Sequence, residues 1–201
     1  MTHEEASLQT RKKLSAALKH QMEHKPLRKI TVNDIITDCG LNRKTFYYHF
    51  DDIHALLKWS LEQDIFEVLR QFDFMTDIQG ALQFTVDYIE SNAHLLNCIY
   101  DTIGRDEIKR LLCDDLFQII RKFINENEAE HNLHLSENSK EFLCRFYSNA
   151  TVGTLVDWFR TSYSPETKQF LVENLSYMLR VSLPETMKKV TSFDDFSKAT
   201  L

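Results

Sequence analysis

Hydrophobic side chains recur along this chain at spacings of three and four residues, which is the pattern of amphipathic helices. From Ile30 to Leu57 the pattern divides into two short helices. Thr31 is a good N-cap for the first, and Asp34, three residues later, can bond back to it as in a capping box. Gly40 ends that helix, because glycine adopts the left-handed conformation at low cost. Asn42 then caps a second helix.

The turn between these helices is short and contains a glycine, so the pattern predicts a steeply crossed helix-turn-helix. Phe46 and Phe50 lie four residues apart and are expected to anchor the second helix to the core. Two cations in its first turn oppose the helix dipole, and a groove lined with phosphates would offset that effect. Recognition helices present their first turn to base edges. The candidate DNA-contacting residues are Thr31, Asn42, Arg43, Lys44, Thr45, Tyr47, Tyr48 and His49.

The rest of the chain also has helical spacing. The first helix is predicted from about Ser7 to Lys25, after a frayed segment over residues 1–6, and a long helix is predicted from Asp52 to about Phe72. The later segments are predicted as a helix over 78–92, a short helix or turn over 94–100, a helix over 106–127, a polar loop over 126–139, and two apolar helices ending near 162 and before Pro184, with a weakly patterned tail.

This succession of helices defines the expected fold class. Four glycines and three prolines in 201 residues argue for long helices and against an all-β fold. We therefore predict an all-α protein in two parts. Residues 1–52 are expected to form a three-helix helix-turn-helix DNA-binding domain, and residues 53–201 a helical dimerisation and effector domain.

The string from Gly40 to Phe50 resembles the DNA-binding signature of TetR-family regulators. The matching positions are Gly40, Leu41, Asn42, Thr45, Phe46, Tyr47, His49 and Phe50. The resemblance implies a cytoplasmic homodimer that regulates transcription from a pseudo-palindromic site on double-stranded DNA. Many members carry a lysine where Ile53 stands, and Asp51 and Asp52 are acidic. A helical interaction protein, acting as a co-regulator with weak or no DNA binding, is therefore the alternative.

The two apolar helices near the C-terminus are what a two-fold four-helix dimer interface needs. Gly153, Trp158 and the helix start Ser164-Pro165-Glu166 are similar to the branch of the family that includes regulators of dihydroxyacetone kinase genes. Packing within one subunit is the alternative for these helices. The candidate interface residues are Phe146, Ala150, Gly153, Leu171, Leu175 and Met178.

Aromatic residues in the middle of the chain are candidates for an effector pocket, as the resemblance implies. Aromatic stripes at helical spacing are more often core, so both interpretations stay open. The effector would be a small molecule or a co-regulator protein. The candidates are Phe84, Tyr88, His94, Tyr100, Phe117 and Trp158.

Charge and reactive residues change this picture little. Residues 1–60 hold ten Lys/Arg and seven Asp/Glu while the whole chain has a net charge of −6, so the basic part coincides with the helix-turn-helix. His131 and His134 lie with Glu128 and Glu130, where a solvated charge cluster is favoured over a metal site because no third histidine or cysteine completes a set. The sequence has no catalytic constellation, cofactor motif, signal peptide or membrane-length apolar run. We expect a non-enzyme without cofactor or metal.

Overall fold

The computed structural model describes residues 2–161 and 164–199 of the chain. Regular structure in those ranges is entirely helical, so the predicted all-α class is confirmed. No helix in the described ranges is long and apolar enough to cross a membrane. The chain divides into two compact units. Unit 1 comprises the residues up to Glu67 and Asn92–Ile108, and unit 2 comprises Val68–Ser91 and the residues from Lys109 onward.

Unit 1 is built around α1 (His3–His24), which packs against α2 (Val32–Cys39), α3 (Arg43–His49) and α4 (Ile53–Leu61). A 3-10 turn over Leu27–Lys29 connects α1 to α2. Fully burying an aliphatic or aromatic side chain stabilises a fold by about 1.5–3 kcal/mol. The fully buried side chains of this core include Leu14, Leu18, Met22, Ile35, Phe46 and Leu56.

The start of α1 differs from the prediction. The helix begins at His3 instead of near Ser7, because Thr2 and Glu5 form a capping box. The Thr2 amide donates to Glu5 Oε2 at 2.8 Å, and the Glu5 amide donates to Thr2 Oγ1 at 3.2 Å. These bonds satisfy amides that have no carbonyl partner within the helix. Residues 3–6 are therefore helical and not frayed.

The long helix predicted after Asp52 is present, with a wide turn inside it. From α4 the chain continues through a π-helical turn, Glu62–Phe66, into α5 (Glu67–Leu69). Lys19 Nζ of α1 contacts Asp64 Oδ2 in the π-helical turn at 2.5 Å. This ion pair joins α1 to the part of the helix that follows α4.

A glycine separates the two segments that were predicted over 94–100 and 106–127. The segment Ala93–Glu130, which we call α7, consists of two helical stretches joined by a kink at Gly104, where φ is 80° and ψ is 171°. That conformation is essentially restricted to glycine. The loop predicted from Glu126 was placed too early, because α7 continues to Glu130. Glutamate is a good helix former, so the loss of apolar spacing did not end the helix.

Unit 2 contains α6 (Ile78–Ser91), the later part of α7, α8 (Glu137–Thr161) and α9 (Pro165–Tyr177). α6 packs against α9. Lys168 Nζ of α9 contacts Asp87 Oδ1 of α6 at 2.7 Å and also contacts Glu90 of α6. The fully buried side chains of this core include Val86, Ile124, Leu143, Leu183 and Met187.

The chain after Tyr177 stays helical, so the prediction that the last helix ends before Pro184 was wrong. It passes through a π-helical turn, Met178–Ser182, into α10 (Leu183–Ala199). The Leu183 amide donates to the Met178 carbonyl, five residues back. This wider turn directly precedes Pro184, whose ring would clash with the carbonyl four residues back in a regular helix. Leu183 and Met187 are fully buried and hold α10 in place.

Candidate nucleic-acid interface

The start and the end of α2 both have the hydrogen bonds expected from the sequence. Thr31 Oγ1 accepts from the Asp34 amide at 3.2 Å, and the Thr31 amide donates to Asp34 Oδ2 at 2.7 Å. Gly40 ends α2 with φ of 67°, and the Leu41 amide donates to the Ile36 carbonyl at 2.9 Å. This is a Schellman ending, and it fixes the point at which α3 begins.

Asp34 also ties the start of α2 to the end of α1. Lys25 Nζ lies 2.8 Å from Asp34 Oδ2. The hydrogen bond from Lys25, followed by those from Thr31, lowers the pKa of Asp34 to about 2. The carboxylate is therefore ionised at neutral pH, and a negative charge at a helix N-terminus is favourable.

One side of α3 is fixed by apolar and capping contacts. Phe46 is fully buried, and Phe50, at the C-cap, packs against Phe46 and Trp59 with ring centroids 6.2 Å and 5.7 Å away. Asn42 Oδ1 accepts bonds from the Thr45 amide at 2.8 Å and the Thr45 hydroxyl at 3.1 Å. The helix is therefore held at its first turn, its middle and its end.

The other side of α3 is exposed and polar. Arg43 and Lys44 are exposed in the first turn, and Tyr47 and Tyr48 have 47% and 70% of their surface exposed. Arg43 Nη2 donates to Tyr47 Oη at 3.4 Å, and the guanidinium carbon lies 5.6 Å from the centroid of the Tyr47 ring. A guanidinium has five N–H donors, of which this bond uses one. Arg43 can therefore bind the edge of a guanine while it rests on Tyr47.

Thr45 and His49 are half-buried at the margin of this face. Burial lowers the pKa of His49, and the positive charge of Arg11 on α1 lowers it further. The His49 ring lies edge-on to Tyr48, with centroids 5.0 Å apart. Since the usual pKa of histidine is about 6.5, His49 is neutral at pH 7 in the free protein.

Thr31 and Asn42 are exposed, and each already uses its side-chain oxygen as an N-cap. Asp52 has the same function for α4, because Asp52 Oδ1 accepts from the Ala55 amide at 2.8 Å. Asp51 is exposed and Ile53 is half-buried. The end of α3 is thus followed by one structural carboxylate and one that faces solvent.

The six residues predicted to line an effector pocket are divided between the units. Those in unit 1 are His94 and Tyr100, and those in unit 2 are Phe84, Tyr88, Phe117 and Trp158. His94 is exposed and lines an open cleft of about 450 Å³ in unit 1, between the end of α1 and the first part of α7. Tyr88 and Tyr100 are half-buried.

The unit 2 members take part in local packing. Phe84 packs against Phe72 with ring centroids 6.1 Å apart, and Trp158 is 7% exposed in the core. The Arg145 guanidinium lies 5.7 Å from the centroid of the Phe117 ring. These contacts favour the interpretation that the aromatic residues belong to the core over the interpretation that they line one cavity.

Sequence reasoning missed an aromatic cleft in unit 2. It has a volume of about 290 Å³, near the lower size of small-molecule sites. Its apolar wall includes Phe72, Phe74 and Phe123, and Arg70 and Lys122 contribute cationic side chains. The available signal was the pair Phe72 and Phe74, which lie between the predicted helices that end near residue 72 and begin at residue 78.

The predicted interface residues on α8 and α9 differ in their exposure. Leu171 and Leu175 are buried within unit 2, with 6% and 8% of their surface exposed. Gly153 is also buried, and a Cβ added there would lie 3.4 Å from Lys109 Nζ of α7. These three residues face their own subunit. Phe146, Ala150 and Met178 are exposed.

Unit 2 nevertheless exposes large apolar side chains on the same helices. We call them the C-terminal apolar set; they are Phe142, Phe146, Phe170, Tyr177 and Met178, with 48% to 68% of their surface exposed. The rings of Phe142 and Phe146 are stacked, with centroids 6.2 Å apart. Clustered exposed apolar residues mark interaction surfaces. On α9, Leu171 faces the core while the adjacent Phe170 is exposed.

The polar segment around His131 is held by contacts within unit 2. Glu128 Oε2 lies 2.5 Å from Lys140 Nζ, and Glu128 Oε1 accepts from the Leu135 amide at 2.8 Å. His131 Nδ1 lies 3.1 Å from the Asn127 carbonyl oxygen. Across the described residues, no group of three or more His, Cys, Asp or Glu side chains is arranged to hold a metal ion.

An exposed, cationic second helix in an all-α helix-turn-helix chain is the architecture of a class of transcription regulators. The chain belongs to the TetR family of transcriptional regulators: a family model described as "Transcriptional regulator C-terminal region" matches residues 76–181. The family predicted from the string around Gly40 is therefore confirmed. The chain is a regulator and not an enzyme.

Individual relatives agree with this assignment. The chain is 25% identical over 144 residues to the HTH-type dhaKLM operon transcriptional activator DhaS of Lactococcus lactis subsp. lactis, covering 72% of this chain and 76% of that protein. A solved structure of the dihydroxyacetone kinase operon activator DhaS has a TM-score of 0.63 at 22% identity, covering 89% of this chain and 96% of that chain. RolR in complex with resorcinol has a TM-score of 0.55 at 15% identity, covering 90% and 94%. The two solved structures share its fold.

Proposed function

We propose that this protein is a cytoplasmic, sequence-specific DNA-binding regulator that acts as a homodimer on a pseudo-palindromic operator. A small molecule or a partner protein that binds the C-terminal domain would switch it. The observation that carries the proposal is the exposed polar side of α3, where Arg43, Lys44, Tyr47 and Tyr48 project from a helix fixed by Phe46.

The residues of α3 suit different parts of a DNA duplex. Arg43 and Lys44 lie in the first turn, the part of a recognition helix that reaches base edges, and each good bidentate contact contributes about 1–3 kcal/mol of discrimination. Thr45, Tyr47, Tyr48 and His49 would fix the register by contacts to phosphates. Thr31 and Asn42 would contact the backbone at the two helix N-termini, which favour anions.

A homodimer would place two copies of α3 on two half-sites, which requires an operator with two-fold symmetry. The support is the C-terminal apolar set, which leaves three phenylalanines, a tyrosine and a methionine exposed on α8, α9 and the turn after it. Of the residues predicted from the sequence, Phe146, Ala150 and Met178 belong to the proposed interface by exposure. Leu171, Leu175 and Gly153 would support it from beneath.

A switch in the C-terminal domain is supported by two observations. Unit 2 has an aromatic cleft beside Phe72 and Phe123, and RolR, which shares the fold, has been crystallised with resorcinol. The cleft's volume of about 290 Å³ suits a small aromatic or polar compound better than a large ligand. None of the six residues predicted as effector contacts from the sequence lines this cleft, so those contacts are a separate proposal from it; the six residues are Phe84, Tyr88, His94, Tyr100, Phe117 and Trp158.

The test is fluorescence anisotropy with the DNA flanking the gene and a scrambled duplex of equal length, at one salt concentration. Arg43→Ala should weaken binding to the specific duplex by about 5- to 150-fold, which corresponds to 1–3 kcal/mol. Binding to the scrambled duplex should change much less. Lys188→Ala, which removes an exposed cation from α10, is the charge-matched control. Equal losses on both duplexes would exclude a base-reading function for Arg43.

The same titration separates the regulator from the alternative, a co-regulator with weak or no DNA binding. The observation that favours the alternative is the acidic pair Asp51 and Asp52, both exposed, directly after α3. A wild-type chain that binds both duplexes equally weakly at low salt would favour the co-regulator.

A further inference from the structure

His20 and His24 form a pair on the surface of unit 1 that the proposed function does not use. They lie four residues apart on α1, so their side chains occupy one side of the helix. Their Nε2 atoms are 3.3 Å apart and share a hydrogen bond, so an ion bound between them would replace the shared proton. Two nitrogens bound tetrahedrally to one Zn²⁺, each at about 2.0–2.1 Å, lie about 3.3–3.4 Å from each other. The pair therefore has the separation of two ligands of one ion.

Asp38 of α2 holds the ring of His20 in the orientation that such a site needs. His20 Nδ1 lies 3.0 Å and 3.1 Å from the two carboxylate oxygens of Asp38. A carboxylate accepts but does not donate, so Nδ1 carries a proton, and in the tautomer that is protonated only there Nε2 keeps its lone pair. Histidines that bind metals usually donate their other N–H to a carboxylate in this manner.

The pair is accessible from solvent. The His20 side chain is 53% exposed, and that of Asp38 is 23% exposed. His24 is exposed, and so is Glu23, which follows His20 by three residues. An ion could therefore reach both imidazoles and keep water in its remaining positions.

We propose that His20 and His24 bind an exchangeable divalent transition-metal ion, with Zn²⁺ as the natural candidate, water in its other positions and Asp38 as the positioning residue for His20. Two protein ligands are fewer than the three or four of dedicated zinc sites, and what distinguishes this pair from His131 and His134 is that its two nitrogens already lie at the required separation. Imidazole nitrogen is a preferred ligand of Zn²⁺, Cu²⁺ and Ni²⁺. His24 contributes Nε2 when its proton resides on Nδ1, a change of tautomer that alters no net charge. Because Asp38 lies on α2, its hydrogen bond to His20 links the ion-binding pair to the first helix of the helix-turn-helix.

The test is calorimetric titration of ZnCl₂ into the full-length chain, purified without a histidine tag. One saturable site per chain is expected. His20→Gln and His24→Gln should each weaken binding at least tenfold, and Asp38→Asn by about 10- to 100-fold, as for other carboxylates that hold a ligating histidine. His131→Gln with His134→Gln is the matched control and should leave the affinity unchanged.

Thermal unfolding separates a lost ligand from a damaged fold. Without metal, the three variants should melt as the wild type does, because these side chains lie at the surface. Zn²⁺ should raise the melting temperature of the wild type and of the His131/His134 variant, but not that of His24→Gln. No saturable binding, full binding by His20→Gln and His24→Gln, or loss of binding in the His131/His134 variant would each overturn the proposal. None of these outcomes depends on DNA binding.

Discussion

Arg43 Nη2 donates a hydrogen bond to Tyr47 Oη at 3.4 Å, and its guanidinium lies 5.6 Å from the centre of the Tyr47 ring. Both side chains are exposed on successive turns of α3. Each therefore restricts the rotamers of the other before any DNA is bound. Ordering a long side chain on binding opposes affinity by about 0.5–1.5 kcal/mol, so in the proposed complex with DNA the contact would reduce the entropy lost by Arg43.

Removal of this support should weaken specific DNA binding without removing a charge. We expect Tyr47→Ala to lower the affinity for the operator by about 2- to 12-fold, corresponding to 0.5–1.5 kcal/mol. Tyr47→Phe, which keeps the ring, should have a smaller effect. A double-mutant cycle with Arg43→Ala measures the coupling. Strictly additive losses would show that Tyr47 acts independently of Arg43.

His49 should contribute to DNA binding in a pH-dependent manner. Its lowered pKa keeps the ring neutral at pH 7.5, so His49→Gln should have the same salt dependence as the wild type there. Once the pH is low enough to protonate His49, a charged ring near a phosphate would make the wild-type slope steeper than that of His49→Gln by up to about 0.9 log units per log unit of salt. Anisotropy titrations over a salt series, at pH 7.5 and at successively lower pH, measure this. A difference between the proteins at pH 7.5 would contradict a neutral ring.

Asp34 should make the stability of the fold sensitive to acid. Its pKa in the folded chain is about 2, below the ordinary value of 3.8. Its contribution is therefore fully present above about pH 5 and is lost as the pH falls from about 4 to 2. Urea unfolding of the wild type and Asp34→Asn should show a difference that shrinks across that range. Asp51→Asn, an exposed carboxylate outside the capping box, is the control, and an equal effect there would contradict the prediction.

The C-terminal apolar set should control self-association. Phe146→Glu and Phe170→Glu place a charge on exposed rings of α8 and α9, so a dimer formed through them should dissociate to monomers. Leu8→Glu changes an exposed apolar residue of α1 and should leave the dimer intact. Sedimentation equilibrium measures the mass of each. A wild-type chain that is monomeric at micromolar concentration would exclude this interface.

Helix starts and ends were predictable here because the capping residues lie within three residues of each other along the chain. Thr31 with Asp34, Gly40 and Ser164 before Pro165 all adopt the capping geometry read from the sequence. Thr2 and Glu5 form the same local motif, and its overlooked presence explains the late start predicted for α1. Capping motifs of this kind can be recognised in the sequence without any knowledge of the fold.

Features decided by tertiary packing were not predictable in the same way. Burial of Leu183 and Met187 keeps the chain helical through Pro184. The depressed pKa of His49 depends on burial and on Arg11 of α1, a neighbour in space that sequence spacing does not reveal. The spacing of Phe46 and Phe50 predicted which side of α3 is exposed. The contact between Arg43 and Tyr47 depends on side-chain rotamers, which the sequence does not reveal.

Gly104 has a further consequence for how this chain can evolve. Its φ of 80° and ψ of 171° lie in a region that side chains with a Cβ do not occupy. An added Cβ would meet no atom within 4 Å, so crowding by neighbours does not exclude other residues; the backbone itself does. Substitutions at this position are therefore not tolerated unless the kink is lost from α7 or forms at another residue. The kink within α7 thus depends on a residue whose side chain is a single hydrogen atom, where every other amino acid has carbon.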